Sequence, residues 1–284
     1  MRIVTEKTIN FQRPKDASFF TIAYNTMILR LLMWKRYSAE VIGSILQLII
    51  LSSVFFLFAT AIGFRNIPNF GTKEIYIFFL SGFLITTFDT VALWSPVNAT
   101  TRELTNGTLD YLYFTPMKKY PYFLGYLLGS VITSSLVGAI PLFLILIVYA
   151  NLSMQQVIII LFIIAVLLVS LLAMGILLSL AVILYKQTQA LVSLLGLVLE
   201  FFTGCFVPLN SLPPYLQSIA LLFPHTYAYE LLRYYAFNGN WALTLPLAFN
   251  WIMILVFAVF YTILALYLHK KVVRHAKVKG LHIL

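Results

Sequence analysis

The sequence predicts an all-α membrane protein of six transmembrane helices, and three observations predict it. Of the 284 residues, 61% are hydrophobic and only 10% are charged, where a soluble domain carries about 45–50% apolar and about 25% charged residues. The mean hydropathy is +0.94, which is more apolar side chain than a water-facing domain has core to bury. The apolar residues also fall into six long runs, each near the roughly 20 residues that carry a helix across about 30 Å of hydrocarbon. A soluble enzyme and a disordered chain are excluded at this level.

Taken in order, the first 16 residues are polar and charged. They hold no apolar stretch and no small-residue cleavage site, so the first strong span is expected to act as an uncleaved anchor. Segment 17–36 is apolar but carries Asn25 and Arg30 and ends in Lys35 and Arg36. Too few residues separate it from the next run for a hairpin across a bilayer, so it is expected to lie as a helix in the cytoplasmic interface. Spans are expected at 39–63, 76–98, 120–150, 155–184, 188–208 and 243–268, the third and fourth long enough to tilt or project.

Between the last two spans, 209–242 is too polar and too interrupted by Pro213, Pro214 and Pro224 to cross, yet too apolar for a water-facing loop. Irregular backbone at membrane depth needs protein cover or a watery cavity, which predicts short re-entrant or surface helices on the outer side. A basic tail covers 269–284. No linker or repeat divides the chain, so 1–284 reads as one transmembrane domain, with a cytoplasmic 1–37, spans within 38–268 and the tail.

The basic residues test this topology. Sixteen of the 19 Lys and Arg residues fall in the N-terminal segment, the 99–119 loop, Lys186 and the tail, and only Arg65, Lys73 and Arg233 fall on the opposite side. The positive-inside rule then places both termini in the cytoplasm of a multi-pass plasma-membrane protein, and it explains the net charge of +10 without nucleic acid as a partner. Neither a phosphate-binding G-x-x-x-x-G-K-[ST] nor an H-E-x-x-H nor a G-x-S-x-G occurs. The four histidines (225, 269, 275 and 282) are scattered, and Cys205 is alone and has no internal disulfide partner. No catalytic group, metal site or cofactor is expected within this chain.

The loop after the second span carries the densest pattern: Glu103, Gly107, Thr108, Leu109, Asp110, Leu112, Thr115 and Pro116. A polar start and a proline stop suit a short helix ending near Thr115, charged and spotted with apolar residues as a docking surface would be. This E-x-x-x-G-T-L-[DE]-x-L-x-x-T-P pattern resembles the signature of ABC-2-type permeases, the membrane subunits of ATP-binding-cassette exporters. Gly204 to Pro208, then Leu212-Pro213-Pro214, resembles that family's fifth-span ending and outer re-entrant helices. Pro224 followed by Tyr227, Glu230 and Arg233 resembles the stretch before its sixth span. The resemblance implies two copies of this chain, or one with a paralogous permease, and two cassette ATPase subunits that bring ATP and Mg. It further implies a coupling helix at 100–117 seated on the ATPase and an interface helix at 17–36, which here is less clearly amphipathic than the family pattern.

Ionisable residues inside a membrane are expensive and carry a functional hypothesis by default. Asp89 in span two and Glu200 in span five are therefore expected to line the path or to pair across a dimer, against the plainer reading of polar groups satisfied by Asn98 or Thr203. With them, Gly204, Pro208, Pro213 and Pro214 are candidate gate residues. Glu230 and Arg233, three apart on a helix, are expected to pair and hold the outer element. Gly125-x-x-x-Gly129 permits a close helix approach, within the subunit or between subunits.

The function expected is outward movement of an amphipathic, lipid-like or drug-like substrate by alternating access. Export of a polysaccharide or teichoic acid is the alternative within the family. A stand-alone secondary transporter or channel is the rival of another class, and it predicts more buried charges and an inverted repeat.

Overall fold

The computed structural model describes residues 18–36, 71–107, 119–134, 138–185 and 189–279, with single positions between 42 and 57. Every regular element among the described residues is helical. In chain order these are α1 (Phe19–Arg36), α2 (Thr72–Thr105), α3 (Lys119–Ser134), α4 (Ile140–Ala150), α5 (Met154–Tyr185), α6 (Gln189–Phe202), a 3₁₀ turn at Leu209–Ser211, α7 (Pro214–Ala220), α8 (Pro224–Ala236) and α9 (Leu247–Lys279).

Three of them are long and apolar enough to cross a bilayer: α2, Met154–Leu184 of α5 and Leu247–Val272 of α9. Their apolar windows are 72%, 44% and 17% buried in that order, so α2 is the central element and α9 shows most of its surface to the surroundings. Against α2 pack α5, α3, α4 and α8, while α9 lies on α5 and α8. The shared core is built from Leu84, Ile85, Leu146, Ile160, Leu171 and Leu231, all fully buried.

In lipid there is little hydrophobic drive between helices, so small residues and satisfied hydroxyls carry the packing. A Cβ on Gly175 of α5 would stand 2.5 Å from the Leu93 carbonyl of α2, a contact only glycine permits. The buried hydroxyls of Ser81, Ser170 and Ser179 donate to carbonyls three residues back (Phe78, Leu167 and Ile176) and so leave no polar atom facing hydrocarbon. Gly125 and Gly129 have a clear partner: a Cβ at Gly125 would run into the Ala23 carbonyl, and one at Gly129 would lie 2.7 Å from Arg30 Cβ. Of the two readings of this motif, the contact described is the one within the subunit, and its partner is α1. Arg30 of α1 adds a hydrogen bond to Ser130 at 3.2 Å.

The helix ends differ from the expected spans in ways the local chemistry explains. The second span lengthens to Thr72–Thr105 and takes in Glu103, so residues 100–105 complete α2 and do not begin a separate helix. It ends where Gly107 turns to φ +67, a conformation glycine adopts at no steric cost. The third span is two pieces, α3 and α4, with Pro141 in the first turn of the second, where a missing N–H does no harm. A turn through Asn151 at φ 51 leads to α5, whose start is capped reciprocally by Ser153 and Gln156.

The fifth helix stops at Phe202, short of the expected 208. The sixth starts after Pro246 and runs on through the basic residues to Lys279, past the expected 268. Residues 39–63, the expected first span, lie largely outside the described residues.

Candidate functional site

Along one face of α2, Gly82, Thr86 and Asp89 follow each other at helical spacing, and two other elements close over them. α6 runs antiparallel to α2. Gly196 sits opposite Trp94, a Cβ there being 3.6 Å from the indole, and Cys205 sits against Gly82 and Thr86. Glu200 therefore falls across from the level of Asp89, and Asp89 and His225 act on it electrostatically. α8 supplies the third wall.

Asp89 and His225 are both buried, and His225 Nε2 lies 2.9 Å from Asp89 Oδ1. Thr86 Oγ1 makes contacts of 3.0 Å to the Tyr229 hydroxyl and 3.1 Å to Cys205 Sγ. The partners considered for Asp89 from sequence, Asn98 and Thr203, are replaced by a histidine 136 residues away. Glu200 is half-buried and makes no hydrogen bond among the described residues.

One turn further along α8, Arg233 is 1% exposed. It donates to the carbonyls of Gly204 and Cys205, the latter at 2.8 Å. Its guanidinium carbon lies 3.7 Å from the Phe78 ring centroid of α2. These two carbonyls follow the end of α6, where Gly204 takes φ +107. The arginine thus satisfies carbonyls released by the helix end, with the planar two-pronged geometry that lysine lacks. Burial lowers the guanidinium to about 10, which keeps it charged at neutral pH.

Glu230 has partners of its own. It accepts from the Thr244 N–H at 2.9 Å and from Trp241 Nε1 at 3.4 Å. Burial raises its carboxyl above the usual range despite these donors. Glu230 and Arg233 both meet Trp241 and act on each other electrostatically. No salt bridge within 4 Å joins them among the described residues, because Arg233 is held by the Gly204 and Cys205 carbonyls and Glu230 by the Thr244 N–H and the Trp241 indole. The joint effect is a yoke: Arg233 holds the end of α6, and Glu230 holds the stretch leading into α9. Asn210 and Thr244 bridge the same two segments.

Of the remaining candidates, Pro208 precedes the 3₁₀ turn, and Pro213 and Pro214 are exposed at the start of α7, where they fix the chain direction.

The other end of α2 is simpler. Glu103 accepts a 2.9 Å hydrogen bond from the Tyr122 hydroxyl of α3, which ties together the two ends of the intervening segment. Arg102 Nη1 reaches Met33 Sδ of α1 at 3.0 Å. Gly107 is exposed, with open space where a Cβ would be. Thr108, Leu109, Asp110, Leu112, Thr115 and Pro116 lie outside the described residues. No cluster of His, Cys, Asp and Glu suited to a metal occurs among the described residues.

Sequence reasoning missed His225, Thr86, Tyr229 and Tyr122. Nothing in local spacing marks them, since each matters only through a partner on another helix.

A helical membrane domain with a buried polar layer at mid-helix is an arrangement that a membrane-transport subunit can use. The comparison with protein families is specific: residues 17–237 match the ABC-2 type transporter family. The chain belongs to that family, as the transmembrane component of an ABC transporter. A search of curated proteins finds no match.

Proposed function

We propose that this chain is the permease half of an ATP-driven exporter, with six spans and both termini cytoplasmic. It works as a homodimer with two copies of a separate cassette ATPase, which brings ATP and Mg. The observation that carries this reading is the ordered motif from Glu103 through Gly107, Thr108, Leu109 and Asp110 to Pro116, which begins at the end of the central helix. In this reading the 100–117 segment, which opens with the last turns of α2, seats on the ATPase, α1 lies in the inner interface, and α7 and α8 cover the outer exit.

ATP binding draws the two ATPases together, and the segment conveys that displacement to α2 and α3. A nucleotide shifts such an equilibrium only by favouring one state over the other, so a stiff connection at the Glu103 end is required. Outward substrate movement follows from opening between the fifth spans, at the yoke formed by Arg233 and Glu230. The substrate class favoured is amphipathic, because the faces of α5, α6 and α9 are apolar while the layer at Asp89 is polar.

The test is purification from native membranes in mild detergent, followed by identification of whatever accompanies the chain. A P-loop ATPase recovered in equal amount is the expected outcome. Full transport by the isolated chain in liposomes without ATP overturns the reading in favour of a secondary transporter.

A further inference from the structure

The charge inventory around Glu200 does not close. Asp89 is matched by His225 at 2.9 Å. Glu200, at the same level and half-buried, has no hydrogen-bond partner among the described residues. No described lysine or arginine can supply one. Arg233 is fully buried and committed to two carbonyls. Between 120 and 232 the sequence holds one lysine or arginine, Lys186, and it lies outside the described residues. Lys73 is in the first turn of α2, about 24 Å along that helix from Asp89.

A second observation points the same way. His225 is 0% exposed, and its Nδ1 has no partner. Nε2 faces Asp89, and Nδ1 is left without a partner among the described residues whichever nitrogen carries the proton. Two carboxylates, Asp89 and Glu200, thus share this level with one histidine, His225, and with no described lysine or arginine. On the same helix Leu194 and Phe201 are more than half exposed, so the negative group sits beside an apolar surface.

We infer that Glu200, backed by the Asp89–His225 pair, is the counter-charge for a cationic amphiphile carried by this permease. The inference rests on the reading of Glu200 as part of the translocation path and narrows its substrate to one charge class. Desolvated carboxylates need a paired cation, and here the ligand provides it. The apolar body of the ligand lies along Leu194 and Phe201.

The experiment uses two probes of matched shape and opposite charge, tetraphenylphosphonium and tetraphenylborate. Binding of each to the full chain in detergent is measured by equilibrium dialysis, with empty micelles subtracted. Wild type is expected to bind the phosphonium about tenfold or more tighter than Glu200→Gln, as loss of a charged partner implies. Glu200→Asp is expected to retain most of that affinity, and tetraphenylborate to show no such difference. The Gln variant is near-isosteric, and an unchanged elution profile in size-exclusion chromatography confirms its fold. Equal phosphonium affinity in wild type and Glu200→Gln, absence of phosphonium binding, or preference for the borate overturns the inference. Neither probe requires ATP, so these outcomes are separate from recovery of the ATPase, which tests the permease reading itself.

Discussion

The two ends of the central helix α2 are built on opposite plans. In its first half, between Phe78 and Asp89, the charged groups that close over it are buried and, Glu200 apart, hydrogen-bonded. Arg233 caps the end of α6, Glu230 caps the approach to α9, and Asp89 holds His225. At its finish, Arg102 and Thr105 to Gly107 are exposed, the helix stops on a left-handed glycine, and one hydrogen bond from Tyr122 closes the base. A buried network in a medium of low dielectric is strong when complete and costly when broken. An exposed helix end tied to α3 by the Tyr122–Glu103 bond is the more open of the two. The first plan fixes a geometry and the second leaves a surface open, which suits the division of labour that the proposed coupling requires.

The largest effect is expected from the network. Arg233→Ala leaves the Gly204 and Cys205 carbonyls without donors and empties the space over Phe78, at a cost of about 3 kcal/mol or more. Thermal unfolding in detergent should fall accordingly. Arg233→Lys should recover only part of the loss, since one ammonium does not span both carbonyls. Full recovery by lysine would mean that charge alone matters there.

Next comes the α1–α3 contact. Gly125→Leu drives a side chain into the Ala23 carbonyl, and forced overpacking of this kind costs about 1–3 kcal/mol. The readout is protease sensitivity of α1, expected to rise while the rest of the domain stays resistant. Unchanged protection of α1 would show that another contact holds it.

Smaller again is Tyr122→Phe, which removes the bond to Glu103 and leaves the ring in place, a loss of about 1 kcal/mol. Stability should barely move, while transport per ATP hydrolysed should drop, because the coupling segment loses its tie to α3. Equal loss of stability and transport would make this bond merely structural.

The smallest effect is that of Glu230→Gln. A carboxyl raised on folding makes the native state bind more protons than the unfolded one, so stability rises as pH falls from the raised value toward the unfolded value of about 4.3. The glutamine variant should lose that slope, as read from melting temperatures measured across acidic pH.

The membrane character of the chain and the family motif were legible in the sequence, because both are local patterns: long apolar runs, basic flanks and a fixed spacing from Glu103 to Pro116. Asp89 and Glu200 were legible as costly residues, but their surroundings were not. His225 is 136 residues from Asp89, and only the fold puts it there. Helical spacing brings Glu230 and Arg233 near each other, but it does not foresee the backbone groups that compete for them, such as the Gly204 and Cys205 carbonyls that Arg233 takes. Helix limits were misjudged where proline and glycine acted, at Pro246 and Gly204, or where polar residues continued a helix beyond the apolar run, as in α2 and α9.

The length of α9 has a mechanical consequence. Thirty-three residues make a rod of about 50 Å, against about 30 Å of hydrocarbon. The surplus, which contains Lys270, Lys271, Arg274, Lys277 and Lys279, stands clear of the lipid tails as a stiff cationic post. In the proposed topology a motor at the cytoplasmic base settles beside that post, which restricts its footprint and its angle of approach before a single contact is made.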